Sequence, residues 1–492
     1  MINSSKSISK RIQFYFIFSL IILISINCSE KSTDNQLEQT INQKDQTTIS
    51  SHTPKQSATN QNPNANNNQQ QTSREPKNKN PDANNNQQQT SREPKNKNPD
   101  ANNNQQQTSR EPKNKNPDAN NNQQQTSKKV GWPYLQEPDC QGNGPVKFIN
   151  SPMNVEDVKY LLPYGQVVGG HVTPIDHMYF EPKDRFLGPD IYPVRAIQDG
   201  VIFDIEKREV NVDTNTDKKF PDWRLDIAHT CTFGSYFDLI TSVIPEIEQA
   251  YKSKNKSRIL VKIKAGQIIG YIGGQTLDFG VYDYSYTLPG FINPKAYYDL
   301  EPWKVHTVDP FQYFPEPIKE ELLAKMTRKA EPQAGKIDYD VDGTLSGNWF
   351  QKDTNFYVGI NREKYWDGHL SVAPDYIDPA IWIAAIGSID DVYNNNFAIK
   401  GSILPLDVNT STGPVAYSIY RYNTYIVNDP ARDWFRGPVY PDDQWGTRLN
   451  REPSGIVMFD LLEKRVLKAE VFLGKTINQV QSFTDKARIY IR

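Results

Sequence analysis

Residues 171–177 read His-Val-Thr-Pro-Ile-Asp-His and hold two of the six histidines in the chain. Imidazoles flanking a carboxylate over so short a stretch are the side chains that zinc and neighbouring divalent ions prefer. His171, Asp176 and His177 are therefore candidate metal ligands. On a strand Asp176 and His177 would face opposite ways, so one of them would point inward. Pro174 would stiffen the stretch between His171 and Asp176. Two surface histidines beside a turn are the alternative reading.

The elements that would position such a cluster are strands. From 163 to 314 the sequence falls into short apolar runs separated by glycines. Residues 194–205 form two half-buried runs around Asp199-Gly200, which predicts a hairpin. Residues 223–228 alternate, 259–264 and 268–272 flank Ala265-Gly266-Gln267, and 276–282 supply a last strand. Residues 244–256 have helical spacing. The region reads as mainly antiparallel β.

The order of these pieces resembles the lysostaphin-like zinc endopeptidases of bacterial cell walls. The family's Pro-Val-x-Ala and Asp-Gly-x-Val elements are matched by Pro193-Val194-Arg195-Ala196 and Asp199-Gly200-Val201-Ile202. Its Val-x-x-Gly-Gln-x-Ile-Gly hairpin is matched by residues 263–270, Ile-Lys-Ala-Gly-Gln-Ile-Ile-Gly. The resemblance covers roughly residues 165–315 and implies zinc held by His171, Asp176 and a third ligand on the last strand. It also implies peptidoglycan, or another envelope polymer or protein, as partner.

The chain departs from that pattern where the chemistry lies. His171 and Asp176 are one residue further apart than the family's His-x-x-x-Asp, so His177 is an alternative inward ligand. Tyr-x-His-Leu has become Tyr236-Phe237-Asp238-Leu239, and His-Leu-His-Phe has become Thr276-Leu277-Asp278-Phe279. The third ligand is thus Asp278, which moves the donor set from zinc toward manganese, calcium or magnesium, or toward no metal at all. An ionised Asp238 in a proton-handling position accepts hydrogen bonds and donates none. Losing an oxyanion donor lowers rate on the order of 10²–10³-fold. A protonated Asp238 would restore the donor. His229 is a candidate substitute base or ligand, with a hydrogen-bonded sheet residue as its alternative. Two readings follow: a degenerate domain that binds wall peptide or glycan without efficient hydrolysis, or an active divergent metal-dependent endopeptidase.

The address lies upstream. Lys6, Lys10 and Arg11 precede an apolar run over 12–26 that ends at Asn27-Cys28. That is a secretory signal, too short to span a bilayer, and Cys28 resembles the acylated cysteine of bacterial lipoproteins, the site where palmitate-type chains attach. The expected location is the cell envelope, lipid-anchored to a membrane, periplasmic or surface-exposed. Residues 29–129 are dominated by Asn, Gln, Ser, Thr, Lys and Pro, with an 18-residue repeat starting at Ala65, Ala83, Ala101 and Ala119. No unit has an apolar face to stack, so the stretch reads as a disordered tether. Extended, it would reach about 330 Å at ~3.3 Å per residue. A net charge of −2 with no basic stripe argues against a dedicated nucleic-acid binder. Cys140 and Cys231, the cysteines left after Cys28, suggest one disulfide in an exported chain.

The fold class expected is mainly β: a peptidase-type β-domain over 130–315, a connecting helix at 316–334, and a second β-barrel or β-sandwich over 335–492. Gly347-Asn348-Trp349 at the start of the last part resembles the Gly-x-Trp element of lipocalin-like proteins. Trp349, Trp366, Trp382, Trp434 and Trp445 would either line a ligand cup or fill a core. His369 beside Asp367 reads as a surface pair.

Overall fold

The computed structural model describes residues 135–212, 219–254, 258–389 and 395–492. The signal-like segment, Cys28 and the tether of 29–129 lie outside the described residues.

Ten strands build the first part. They are β1 (Val158–Leu162), β2 (Met178–Pro182), β3 (Tyr192–Arg195), β4 (Gly200–Val212), β5 (Lys219–Ala228), β6 (Phe233–Ile240), β7 (Ser242–Val243), β8 (Val261–Ile263), β9 (Ile268–Ile272) and β10 (Leu277–Asp283). Seven form one sheet in the order β1-β2-β10-β6-β5-β4-β8, and β3-β9-β7 form a smaller one. Period-two alternation gives the large sheet an apolar face. Trp223, Leu225 and Ile227 of β5, Phe237 of β6, and Leu277, Phe279 and Val281 of β10 all enter one core. The intervening residues Asp222, Arg224, Asp226, Tyr236, Asp238, Asp278 and Tyr282 fall on the opposite face. The one regular helix of this part, α1 (Pro245–Ser253), follows β7 and buries Ile247.

The predicted 194–205 hairpin is corrected here. β3 pairs with β9, whereas β4 pairs with β5 and β8, so Asp199-Gly200 turns the chain from one sheet into the other. The Gly266 turn does the same between β8 and β9, and its φ of 78° suits glycine. The two corners are stapled together. Asp199 accepts from Ala265 N at 2.9 Å and pairs with Lys264 at 2.7 Å, and Gly266 N donates to Ala196 O at 2.8 Å. Cys140 and Cys231 are disulfide-bonded.

After α2 (Ile318–Ala324), eight antiparallel strands close a barrel. In order they are β11 (Gly347–Gln351), β12 (His369–Pro374), β13 (Trp382–Ile386), β14 (Asn395–Lys400), β15 (Val415–Tyr420), β18 (Gly455–Glu463), β19 (Val466–Leu473) and β20 (Arg488–Ile491). Pairing of β11 with β20 completes the ring. A separate hairpin, β16 (Tyr422–Ile426) and β17 (Trp445–Leu449), is inserted between β15 and β18. The fold is mainly β, and the second part is a barrel rather than a sandwich. Its interior is packed with Trp349, Leu370, Val372, Phe397, Ile419, Phe459 and Leu467. The Arg492 guanidinium lies 3.9 Å from the Trp349 ring centre and donates to Val341 O and Thr344 O at 2.7 Å, closing one end.

Trp382 packs against the barrel core, whereas Trp366, Trp434 and Trp445 pack between the two parts. Trp434 and Trp445 meet Tyr160 of β1, and Trp366 lies against Gly170, where a Cβ would sit 3.1 Å from the indole. His369 is not a surface residue. It is 1% exposed, ringed by Phe350, Tyr357 and Tyr365, with Nε2 bonded to Tyr357 O at 3.0 Å.

Candidate functional site

The His171–His177 segment is a buried loop running into β2, not a strand. Backbone bonds Gly165 N to Ile175 O (2.8 Å) and Ile175 N to Gln166 O (3.0 Å) hold it, and Ser371 of the barrel donates to Val172 O at 2.6 Å. Because it is a loop, Asp176 and His177 need not face opposite ways, and they come together.

His177 stands between two carboxylates. Its Nδ1 is 3.5 Å from Asp176 and its Nε2 is 3.3 Å from Asp278. These are ion-pair contacts; neither ring nitrogen makes an aligned hydrogen bond. The ring meets Tyr179 at 5.0 Å and Tyr236 at 5.8 Å, and the His171 ring lies 5.8 Å away. Tyr236 stacks on Tyr282 at 5.6 Å across Gly280, whose missing side chain leaves room; a Cβ there would come within 2.4 Å of Tyr236. Tyr282 in turn donates to Asp176 at 3.2 Å.

Cations surround these acids. Lys304, in the 3-10 turn Lys304–His306, is 1% exposed, with Nζ 3.8 Å from Asp176 and 3.9 Å from Glu301. Glu301 accepts from Tyr357 of the barrel at 2.5 Å. Asp238 lies directly across from Asp278 in the β6–β10 register. One Asp238 oxygen accepts from Arg208 and from Leu239 N; the other lies 3.7 Å from Arg224. Arg208 also grips Asp222 at 3.1 and 3.2 Å, and Arg224 grips Asp226 at 3.2 and 3.3 Å while lying 4.0 Å from the Tyr236 ring centre. This is a cross-strand charge ladder: β4 and β5 place Arg208 opposite Asp222 and Glu206 opposite Arg224.

The protonation states follow from that arrangement. Burial would lower His177, but the Asp278 charge and the Asp176 contact outweigh it and push it up to about 9. Burial would raise Asp176, yet Lys304 and then His177 hold it well below the ordinary carboxylate range. Asp278 is raised by burial, which the His177 charge only partly offsets. Burial, against Arg208, pushes Asp222 up to about 7. His171 is lowered by burial and by the neighbouring His177 charge.

A divalent ion does not fit this donor set as it stands. Among the described residues no three His, Cys, Asp or Glu side chains are disposed to hold one. Asp176 faces Nδ1 of His177 and Asp278 faces Nε2, so the ring stands between the two acids and they do not converge on one point. Lys304, Arg208 and Arg224 already supply positive charge to the acids an ion would need. His229 does not join the cluster. Its Nδ1 meets Asp199 O and its Nε2 meets Ser235, both at 2.9 Å, and Ser235 projects from the face of β6 opposite Asp238. Burial lowers His229 to about 4, so it is a neutral sheet residue.

No protein-family profile matches the chain, and no curated protein is similar to it in sequence. Among solved structures, it is similar to the catalytic domain of the prophage-encoded M23 protein EnpA from Enterococcus faecalis, crystallised as a point mutant. That alignment has 12% identity, covers 28% of this chain and 86% of the other, and has a TM-score of 0.18. A likeness of that size decides neither fold nor function.

Sequence reasoning missed Arg208, Arg224, Lys304 and Glu301. The Asp222-x-Arg224-x-Asp226 alternation was there to be read as the polar phase of β5. Lys304 carries no local signal, since only the tertiary fold brings it to Asp176.

Proposed function

We propose that this is a lipid-anchored envelope protein whose peptidase-like β-domain binds wall peptide or glycan without hydrolysing it. Cys28 carries the acyl chains, and the tether of 29–129 lets the folded part reach polymer away from the membrane. One observation carries the non-hydrolytic reading. The acids at the positions where the resemblance puts a ligand and a proton carrier, Asp278 and Asp238, are engaged by His177 and by Arg208 and Arg224. The oxygens of Asp238 face two guanidinium groups and a backbone N–H rather than an open substrate position, and an imidazole held between carboxylates leaves no open ligand position.

A second reading, a metal-dependent endopeptidase using zinc, manganese or calcium, draws on one feature. Asp278 Oδ1 is buried with no hydrogen-bond partner in the protein. Full-length protein in detergent, measured for bound metal, for cleavage of wall peptides and for co-sedimentation with purified wall, separates the two. Sedimentation without cleavage and without stoichiometric metal is expected. Cleavage that needs metal and is lost in Asp278→Ala would overturn the reading.

A further inference from the structure

A cleft of about 610 Å³ opens between the edge formed by β1 and β2 and the segment Phe435–Val439 that precedes β17. Its size lies within the roughly 300–1,000 Å³ range of small-molecule sites, which favour such junctions. Its charge balance is unlike that of the buried cluster. Arg185 closes on Glu181 and lies 4.6 Å from the Phe435 ring centre, with Phe186 edge-on to the same ring at 6.0 Å. That makes a fixed floor whose charges cancel. Asp184 accepts from Phe186 N at 2.8 Å.

Lys159, Lys183, Lys325 and Arg436 also line the cleft, with Glu156 and Asp184 as its carboxylates outside the Arg185–Glu181 pair. Lys159 Nζ donates to Phe435 O at 2.9 Å and Lys325 Nζ to Val158 O at 2.6 Å, main-chain carbonyls rather than carboxylates. None of the four makes an ion pair among the described residues. Burial holds Lys159 and Lys325 below the ordinary lysine range, and Lys183 adds like-charge repulsion at Lys325. Glu181, Asp433 and Asp184 act on Lys159, and Glu156 and Glu321 on Lys325, from beyond ion-pair contact; ammonium groups held out of contact pairs are point-charge partners for phosphate. Pro182, Pro438 and Val439 add an apolar wall that suits the carbon body of the same ligand.

The geometry points to this cleft as a binding site for a phosphate-bearing organic anion of sugar-phosphate size. The site is separate from the His177 cluster and stands whether or not that cluster binds wall peptide. The phosphate group comes either from a free sugar phosphate or from a phosphodiester polymer of the envelope.

Calorimetric titration of the full chain in detergent, at about 0.15 M salt to screen loose surface attraction, tests it with two probes, glucose 6-phosphate and a glycerol-phosphate oligomer. Glucose is the uncharged control. One-site saturable binding is expected for at least one phosphate probe and not for glucose. The Lys159→Met, Lys325→Met double variant weakens it by more than about tenfold, whereas Lys475→Met, on an exposed loop elsewhere, leaves it unchanged. Arg436→Glu, at an exposed position that does not hold the fold, weakens it as well. Tighter binding of the oligomer assigns the polymer as source, and tighter binding of glucose 6-phosphate assigns the free ligand. Absence of saturable binding to both probes, or equal affinity in the double variant and in Arg436→Glu, overturns the proposal.

Discussion

His177, on the loop entering β2, and His369, in the barrel wall, are comparably buried yet sit in opposite protonation states. His177 is pushed up to about 9, while burial takes His369 down to about 3. The two rings differ in what faces them. His369 is packed among Phe350, Tyr357 and Tyr365 with one carbonyl to bond. His177 has a carboxylate at each nitrogen. Burial makes charge expensive in both places, and only at His177 does an opposite charge, close by and equally desolvated, reverse the outcome. His369, on the outer side of the barrel wall, is therefore a neutral imidazole in an apolar aromatic layer, and the polar face of the sheet is an ionic core.

Breaking the ionic core should have the largest effect. Lys304→Met leaves Asp176 and Glu301 without their shared cation, and His177→Phe leaves Asp176 and Asp278 facing an uncharged ring. Each is expected to destabilise by about 3–5 kcal/mol, because an unpaired buried charge remains. Urea unfolding checks this, and a loss below about 1 kcal/mol would mean that solvent reaches the acids.

The pH dependence comes next. His177 has a raised folded pKa, so its contribution is full below the unfolded value near 6.5 and disappears as pH rises through about 9. That contribution is on the order of 2–3 kcal/mol. Imidazole nitrogen shifts should show His177 doubly protonated at neutral pH and titrating in the alkaline range, with His369 neutral down to about 3. Co-titration of the two rings would remove the distinction.

Smaller effects are expected where the imidazole is neutral. His369→Phe keeps the aromatic packing and leaves Tyr357 O without its donor, a loss of about 1–2 kcal/mol. His229→Gln can keep a bond to Asp199 O or to Ser235 and should shift the unfolding midpoint least, by about 1 kcal/mol or less.

What could be read in advance follows the same division. Local patterning reports what the backbone does within a few residues. The strands at β5 and β9, the helix near 245–253 and the β character of both parts are visible because alternation and apolar period arise within each segment. The hairpin predicted at 194–205 was misread because a glycine turn looks the same whether it returns the chain to its own sheet or hands it to another. His369 was misplaced for a related reason. Its polarity suggests surface, and the three aromatic side chains that bury it come from β11 and from the loop between β11 and β12.

The amino-acid sequence by itself determined the chemistry available to this protein: scarce histidines beside acids, Asp238 and Asp278 on alternating strands, and a long stretch dominated by polar residues. Tertiary structure alone decided what that chemistry became. Charge–charge energy depends on distance and desolvation, and His177, Asp278, Asp238, Arg208 and Lys304 acquire both only when β2, β4, β6, β10 and the turn at Lys304–His306 converge. Those side chains span 127 residues of the chain, from 177 to 304, and no local pattern encodes their meeting.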